Sequence, residues 1–224
     1  MIKTALISVS DKSGLDLLAK ELIANKVTIV SSGGTFKYLK SIGCEVQEVS
    51  DYTGHPEMMN GRVKTLHPKI HAGILANRDV HLEELESMGY PPIDLVVVNL
   101  YPFINTVQGG ATFEEAIENI DIGGPTMIRA AAKNFKDVVV LSDPSQYEDF
   151  LLKLKNNSVD LDFRKLCAAR VFENMAQYDG AISNYLNSSS DVQLLNSDGL
   201  SPATKLRYGE NPHQEALLYK FNSM

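Results

Sequence analysis

Apolar, β-branched runs alternate with helical segments along most of the chain, and this alternation limits the fold more than any other feature. Strands are predicted over residues 2–9, 27–30, 45–49, 93–100 and 137–141. Neighbouring parallel strands need a crossover, usually a helix, and strands buried on both faces are apolar throughout. We therefore expect an α/β fold: a Rossmann-like parallel sheet flanked by helices in three layers.

Composition excludes several classes of protein. The 224 residues are 44% hydrophobic and 22% charged, with a net charge of −7, which argues against a sequence-independent nucleic-acid binder. Cys44 and Cys167 are too few for a disulfide framework and fit a reducing compartment. The apolar run at residues 2–9 is too short for a signal peptide or a membrane span. We expect a cytoplasmic protein without nucleic-acid or membrane partners.

Polar segments follow three of the predicted strands. Because the carboxyl ends of parallel strands meet at one edge of a sheet, these segments should converge where α/β proteins bind ligands. The segments are Ser10-Asp11-Lys12, Ser32-Gly33-Gly34-Thr35 and Asn99-Leu100-Tyr101.

The segment 32–35 follows a strand and opens a helix, as phosphate-binding turns do. Glycine lets the backbone approach an anion, the helix start attracts it, and the Thr35 hydroxyl can donate one more hydrogen bond. An ordinary tight turn is nearly as good an explanation, since the segment is neither a Walker A motif nor a dinucleotide fingerprint. Residues 10–12 suit phosphate or ribose, but alone they fit a solvated turn better. We expect Ser13 and Asp16 to cap the helix that follows.

Residues 62–71 hold three cations and two histidines inside an irregular stretch, 51–71. A solvated basic loop explains poorly why the cations alternate with apolar residues. His67 and His71 are four residues apart, but Pro68 argues against a continuous helix there and no third ligand is near in sequence. No metal site is predicted.

The segment 121–126 indicates a loop-to-helix junction that offers a carboxylate and glycines. In the helix predicted over 124–134, Arg129 and Lys133 lie four residues apart and share a face. An ordinary pair of surface residues would show the same spacing. A helix is also expected over 112–118. The residues alone therefore indicate an α/β protein that binds a phosphorylated small molecule, with Lys, Tyr and Asp available for proton transfer.

Six segments together resemble, in order, the cyclohydrolase half of the PurH family of bifunctional purine biosynthesis proteins. The most specific are GRVKTLHPKIHAGIL and IRAAAKN, and the resemblance covers residues 1–200. It implies a methylglyoxal-synthase-like fold. It also implies an inosine monophosphate (IMP) cyclohydrolase, which closes the ring of 5-formamidoimidazole-4-carboxamide ribonucleotide (FAICAR) without a cofactor. The segments are residues 8–12, 32–35, 61–67, 99–103, 121–124 and 129–134.

The resemblance also implies roles for individual residues. Lys133 would donate and accept protons, Lys64 would stabilise an oxyanion, Asp121 would receive or orient the substrate's amide N–H, and Tyr101 would relay a proton. The implied substrate-binding set is Ser10, Asp11, Lys12, Ser32, Gly33, Gly34, Thr35, Arg62, Val63, Lys64, Thr65, Asn99, Leu100, Asp121 and Ile122.

In the PurH family the chain continues into a transformylase domain that uses 10-formyltetrahydrofolate. Residues 1–200 are predicted to form the cyclohydrolase domain, and residues 201–224 a linker and the start of the transformylase domain. We expect the chain to lack transformylase activity and to take FAICAR and IMP as small-molecule partners. The family's dimer contacts lie largely in the second domain, so homodimerisation is left open.

Two other functions share features of this sequence. A methylglyoxal-synthase-like lyase acting on dihydroxyacetone phosphate would share the phosphate turn at 32–35. A non-catalytic nucleotide-binding module, as in carbamoyl-phosphate synthetase, would share the fold. Neither accounts for RVKTLHP together with RAAAKN.

Overall fold

A five-stranded parallel sheet forms the centre of the computed structural model, which describes residues 2–187, 200–207 and 217–221. The strands are β1 (Thr4–Val9), β2 (Thr28–Ser31), β3 (Gln47–Glu48), β4 (Leu95–Asn99) and β5 (Val139–Leu141). Their order in the sheet is β3-β2-β1-β4-β5, and every neighbouring pair is parallel. The predicted α/β class is confirmed.

Helices connect the strands and cover both faces of the sheet, giving three layers. Among the described residues they are α1 (Leu15–Ala24), α2 (Gly33–Ser41), α3 (Val49–Thr53), α4 (Pro68–Leu75), α5 (Leu82–Ser87), α6 (Phe103–Gln108), α7 (Phe113–Glu118), α8 (Gly123–Lys133), α9 (Tyr147–Lys155) and α10 (Leu161–Asn187). A separate antiparallel hairpin pairs β6 (Leu200–Lys205) with β7 (Leu217–Phe221). No helix in the described ranges is long and apolar enough to cross a membrane.

The core lies on both sides of the central strands. Ala5, Leu6 and Ile7 are successive residues of β1 that point to alternate faces, and all three are fully buried. This explains why the strands are apolar throughout rather than alternating. Each fully buried Leu or Ile contributes roughly 1.5–3 kcal/mol to folding.

Strand register brings the carboxyl ends together, as the topology predicted. Val9 at the end of β1 pairs with Asn99 at the end of β4, and Ile7 pairs with Ser31 at the end of β2. The segments that follow these strands therefore begin at one edge of the sheet.

The capping prediction for α1 was wrong. Gly14, with φ of 70°, is the N-cap residue, and no side chain caps the helix. Ser13 instead donates from its backbone N–H and its hydroxyl to the Asp11 carboxylate, at 2.9 and 2.6 Å. The Ser13 hydroxyl, which was expected to cap the helix, is therefore bonded to Asp11 in the preceding turn.

The stretch 51–71 is more regular than predicted. It contains the end of α3 and the start of α4, where Pro68 opens the helix instead of preventing it. Proline is tolerated at a first helical position because the N–H it lacks has no partner there. The short helix α6, from Phe103 to Gln108, was not predicted. Of residues 201–224, predicted as a linker and the start of a second domain, 208–216 and 222–224 lie outside the described residues.

Candidate functional site

Asn99 shapes the turn that follows β1. Its Oδ1 accepts the backbone N–H groups of Ser10 and Asp11, at 2.7 and 2.9 Å, and its Nδ2 donates to the Asp11 carbonyl at 2.8 Å. The ammonium of Lys12 folds back onto the Ser10 carbonyl at 3.2 Å. Hydrogen bonding from Ser13 lowers the pKa of the Asp11 carboxyl. The predicted residues 10–12 thus lie beside Asn99, and the Asn99 amide holds their backbone in place through these hydrogen bonds.

The start of α2 is open toward solvent. Gly33 has φ of 55°, no atom of a distant residue lies near where a Cβ on Gly34 would be, and Ser32 makes no side-chain capping bond. The first backbone N–H groups of a helix have no partner within the helix. Together with the helix dipole, they make this turn suitable for an anion.

The Thr35 hydroxyl was predicted to donate a hydrogen bond to an anion at that turn, but it bonds elsewhere. Thr35 is only 4% exposed, and its hydroxyl donates to the Val9 carbonyl at 2.9 Å while accepting the Val9 N–H at 2.9 Å. Its one hydroxyl proton is used to join α2 to the end of β1. The expected extra donor to an anion is therefore occupied within the fold.

Lys64 reaches the start of α2 from the segment that precedes α4. Its Nζ lies 3.3 Å from where a Cβ on Gly33 would be, and also 3.3 Å from the Glu57 carboxylate. The side chain passes over Gly61, where a Cβ would lie 2.5 Å from Lys64 Cε. A larger residue at position 61 would block this path.

The neighbours of Lys64 connect the segment to α7 and α8. Thr65 is buried, and its hydroxyl lies 2.8 Å from where a Cβ on Gly123 would be, at the start of α8. Arg62 is exposed and forms an ion pair with Glu118 of α7, which raises the pKa of the guanidinium. Val63 bonds through its backbone to Met58, in an isolated antiparallel bridge.

Asp121 joins three segments at the same edge. Its Oδ1 accepts the Gly124 N–H at 2.9 Å, and the backbone N–H groups of Gly123 and Tyr101 also donate to its carboxylate. Its own N–H donates to the Tyr178 hydroxyl of α10 at 2.8 Å. Burial raises the pKa of this carboxyl, and the three backbone donors oppose that shift. A Cβ on Gly124 would collide with the carboxylate, so only glycine fits there.

Three further predicted residues lie around this junction. Tyr101 is 53% exposed, while Leu100 is partly buried, and its Cδ2 would lie 2.8 Å from a Cβ on Gly124. Ile122 is exposed just before α8. The described structure therefore places residues 10–12, 32–35, 62–65, 99–101 and 121–122 along one edge of the sheet.

Lys133 is the predicted residue that the fold does not bring to this edge. It ends α8, and the eleven residues of the helix span about 15 Å from Gly123. The next residue, Asn134, donates to the Ile74 carbonyl at the far end of α4, at 2.8 Å. A lysine side chain has a four-carbon stem, much shorter than this distance, so Lys133 does not contact a group bound at Gly123 in this arrangement.

The histidines of the central segment organise α4. His67 is its N-cap residue, and Nδ1 accepts the Lys69 N–H at 3.1 Å. Burial lowers the pKa of His67, and the nearby His55 and Lys69 lower it further. Within the described ranges, no three His, Cys, Asp or Glu side chains are grouped to hold a metal ion.

Two residues of the site were missed from the sequence. Glu57 lies in the irregular stretch with no spacing pattern to single it out, and Tyr178 lies far away on α10. Both act through a single contact with a predicted residue, Lys64 and Asp121 respectively. Only the tertiary structure could identify them.

Two models of known protein families match this chain, and a solved structure resembles it. A family model described as "MGS-like domain" matches residues 14–126, and one described as "AICARFT/IMPCHase bienzyme" matches residues 131–224. A solved structure titled "Crystal structure of ForH" is 34% identical, with a TM-score of 0.74. The match covers 84% of this chain and 98% of that one. The predicted methylglyoxal-synthase-like fold is confirmed.

Proposed function

The chain belongs to the PurH-type AICARFT/IMPCHase bienzyme family, which acts in purine biosynthesis, and we propose that it is an IMP cyclohydrolase. In the proposed reaction, the carboxamide nitrogen of FAICAR attacks the formyl carbon. A C–N bond forms, the former formyl oxygen leaves as water, and the purine ring closes. No oxidation state changes, so the step needs no redox cofactor.

One observation carries this proposal: the Lys64 ammonium lies next to the uncapped start of α2, 3.3 Å from the Cβ position of Gly33. Two sources of positive potential, the ammonium and the helix N-terminus, act on the same place. An anionic nucleotide would be attracted there. We assign the phosphoribosyl part of the substrate to the turn at 10–12 and to the segment 32–35.

An amide nitrogen is a weak nucleophile, so the protein must position it and stabilise the negative charge that develops on the formyl oxygen. Lys64 is proposed for that charge. Thr65, the next residue, contacts the start of α8, so Lys64 lies between the segments at 32–35 and 121–124. A substrate that spans both segments would place its reacting end near this ammonium.

Asp121 and Tyr101 are proposed to handle protons. Each carboxylate oxygen has two lone pairs, so Asp121 can accept the substrate's amide N–H while Oδ1 stays bonded to Gly124. Tyr101 is half-exposed at the same junction and is proposed as the relay to water. Lys133, predicted as proton donor and acceptor, would need intervening water to act at this edge.

Incubation with FAICAR tests the proposal, with IMP formation followed by absorbance and the loss of water by mass spectrometry. Dihydroxyacetone phosphate and IMP are assayed in parallel. Methylglyoxal from the former would indicate the lyase, and tight IMP binding without turnover of FAICAR would indicate a nucleotide-binding module. Either result would refute the cyclohydrolase proposal.

A further inference from the structure

Glu57 is the one carboxylate that forms an ion pair with Lys64 among the described residues. Its Oε2 lies 3.3 Å from Nζ, and its side chain is 60% exposed. The pair lies at the start of α2, where Lys64 Nζ is 3.3 Å from the Cβ position of Gly33. Glu57 is therefore paired with the ammonium that the proposed substrate's negative charge would approach.

The position of Lys64 is electrostatically unusual. The N-terminus of a helix carries partial positive charge, which disfavours a cation. Ser32 makes no capping bond that would offset this charge. The Glu57 carboxylate, 3.3 Å from Nζ, supplies negative charge that offsets the Lys64 ammonium.

The backbone between Glu57 and Lys64 is tightly folded. Met59, Asn60 and Gly61 are three consecutive residues with positive φ, of 54°, 55° and 87°. A hydrogen bond from the Met58 N–H to the Val63 carbonyl, at 3.0 Å, closes this turn. The Glu57 and Lys64 side chains, from its two sides, thus form an ion pair, and Lys64 extends it to the start of α2. Non-glycine residues in this conformation are uncommon.

We propose that Glu57 is a placeholder anion. It holds the Lys64 ammonium against the start of α2 in the free protein and releases it when a phosphate-bearing ligand binds. The carboxylate then competes with the ligand for Lys64, so Glu57 tunes nucleotide affinity. The identity of the ligand, though not the competition, rests on the proposed function.

Binding to the Glu57→Gln variant tests the inference, with IMP and inorganic phosphate titrated separately by calorimetry at low salt. Removing the competing charge should tighten binding of each by about 1.4- to fivefold, the range of an exposed ion pair. The gain should shrink as salt screens the charges. Glu45→Gln is the matched control, because Glu45 is also exposed and its replacement removes the same charge.

A double-mutant cycle with Lys64→Met separates competition for Lys64 from a general charge effect. The gain from Glu57→Gln should be smaller when Lys64 is absent. Unchanged or weaker binding of IMP and phosphate by Glu57→Gln, or an equal gain in both backgrounds, would overturn the inference. So would failure of every variant to bind either anion. Wild-type protein that binds phosphate but does not convert FAICAR would refute only the proposed function.

Discussion

The two edges of the sheet differ in how completely their charged groups are satisfied within the fold. At the amino edge, Asp94 accepts the backbone N–H groups of Lys3 and Thr4, at 2.8 and 3.1 Å. The Arg78 guanidinium, with its side chain only 15% exposed, lies 3.8 Å from Asp94. It also donates to the carbonyls of Gly73, Ala76 and Ile93. A cavity of about 590 Å³ lies here, yet these charged groups already bond within the chain.

At the carboxyl edge, Asn99, Thr35 and Asp121 also bond within the fold, but two sources of positive charge remain available to a ligand. The start of α2 has no side-chain cap, and Lys64 is paired only with a largely exposed carboxylate among the described residues. Polar groups that are satisfied inside the fold stabilise it, whereas donors facing solvent are available to a ligand. The difference assigns stability to one edge and binding to the other, and single substitutions can test this division.

Lys64→Ala should give the largest effect on catalysis and little effect on stability. Loss of the ammonium should lower FAICAR turnover by about 10²–10³-fold, as removal of one oxyanion donor does. Steady-state kinetics and thermal melting measure the two effects. Lys20→Ala, an exposed lysine on α1, is the control. Near-wild-type turnover would remove Lys64 from the proposed mechanism.

Arg78→Ala should give the reverse pattern. Three backbone carbonyls and Asp94 would each lose one partner in a mostly buried place, so the free energy of unfolding should fall by about 3 kcal/mol. Urea denaturation measures it. The KM for FAICAR of the folded variant should stay unchanged. A fall below about 1 kcal/mol would show that water replaces the guanidinium easily at this edge.

Asn99→Ala should combine a moderate loss of stability with weaker binding. The N–H groups of Ser10 and Asp11 would lose their acceptor, which costs about 1–2 kcal/mol. The loosened turn should raise the KM for FAICAR more than it lowers kcat. Asn25→Ala, which removes an exposed amide on another turn, is the control. An unchanged KM would mean that residues 10–12 do not contact substrate.

His67→Asn should remove a pH dependence. The pKa of His67 is lowered in the folded chain, so the unfolded chain binds the proton more readily. Wild-type stability should therefore fall as pH drops through about 6.5, the ordinary histidine pKa. Asparagine also caps helices but does not titrate, so the variant should lose less over this interval. Parallel melts between pH 7.5 and 5 compare the two proteins, and identical slopes would contradict the expectation.

Lys133→Ala should have the smallest effect, below about threefold on FAICAR turnover, because the side chain lies about 15 Å along α8 from Gly123. The comparison is with Lys64→Ala under the same conditions. A larger loss in Lys133→Ala than in Lys64→Ala would reverse this order. It would support the proton-transfer role that the family resemblance implied.

Much of the fold was readable because the signals are local. The apolar runs over 93–100 and 137–141 contain β4 and β5, and the helices predicted over 112–118 and 124–134 match α7 and α8 within a residue. The predictions that were wrong or missing concerned residues whose hydrogen bonds can be made to more than one partner, or residues brought together from distant parts of the chain. Ser13 bonds to Asp11 rather than capping α1. Helix α6 was not predicted because it is short and has no side-chain cap that would mark its start in the sequence.

The sequence by itself determined the parallel α/β fold, the edge at which polar segments gather, and the types of side chain offered there. Only the tertiary structure decided which of them meet. It placed Lys64 over the start of α2, used the Thr35 hydroxyl inside the fold, and left Lys133 a helix length away. The reason is physical. Backbone periodicity is set by neighbours in sequence, but contacts between side chains depend on strand order and on the direction in which each helix runs.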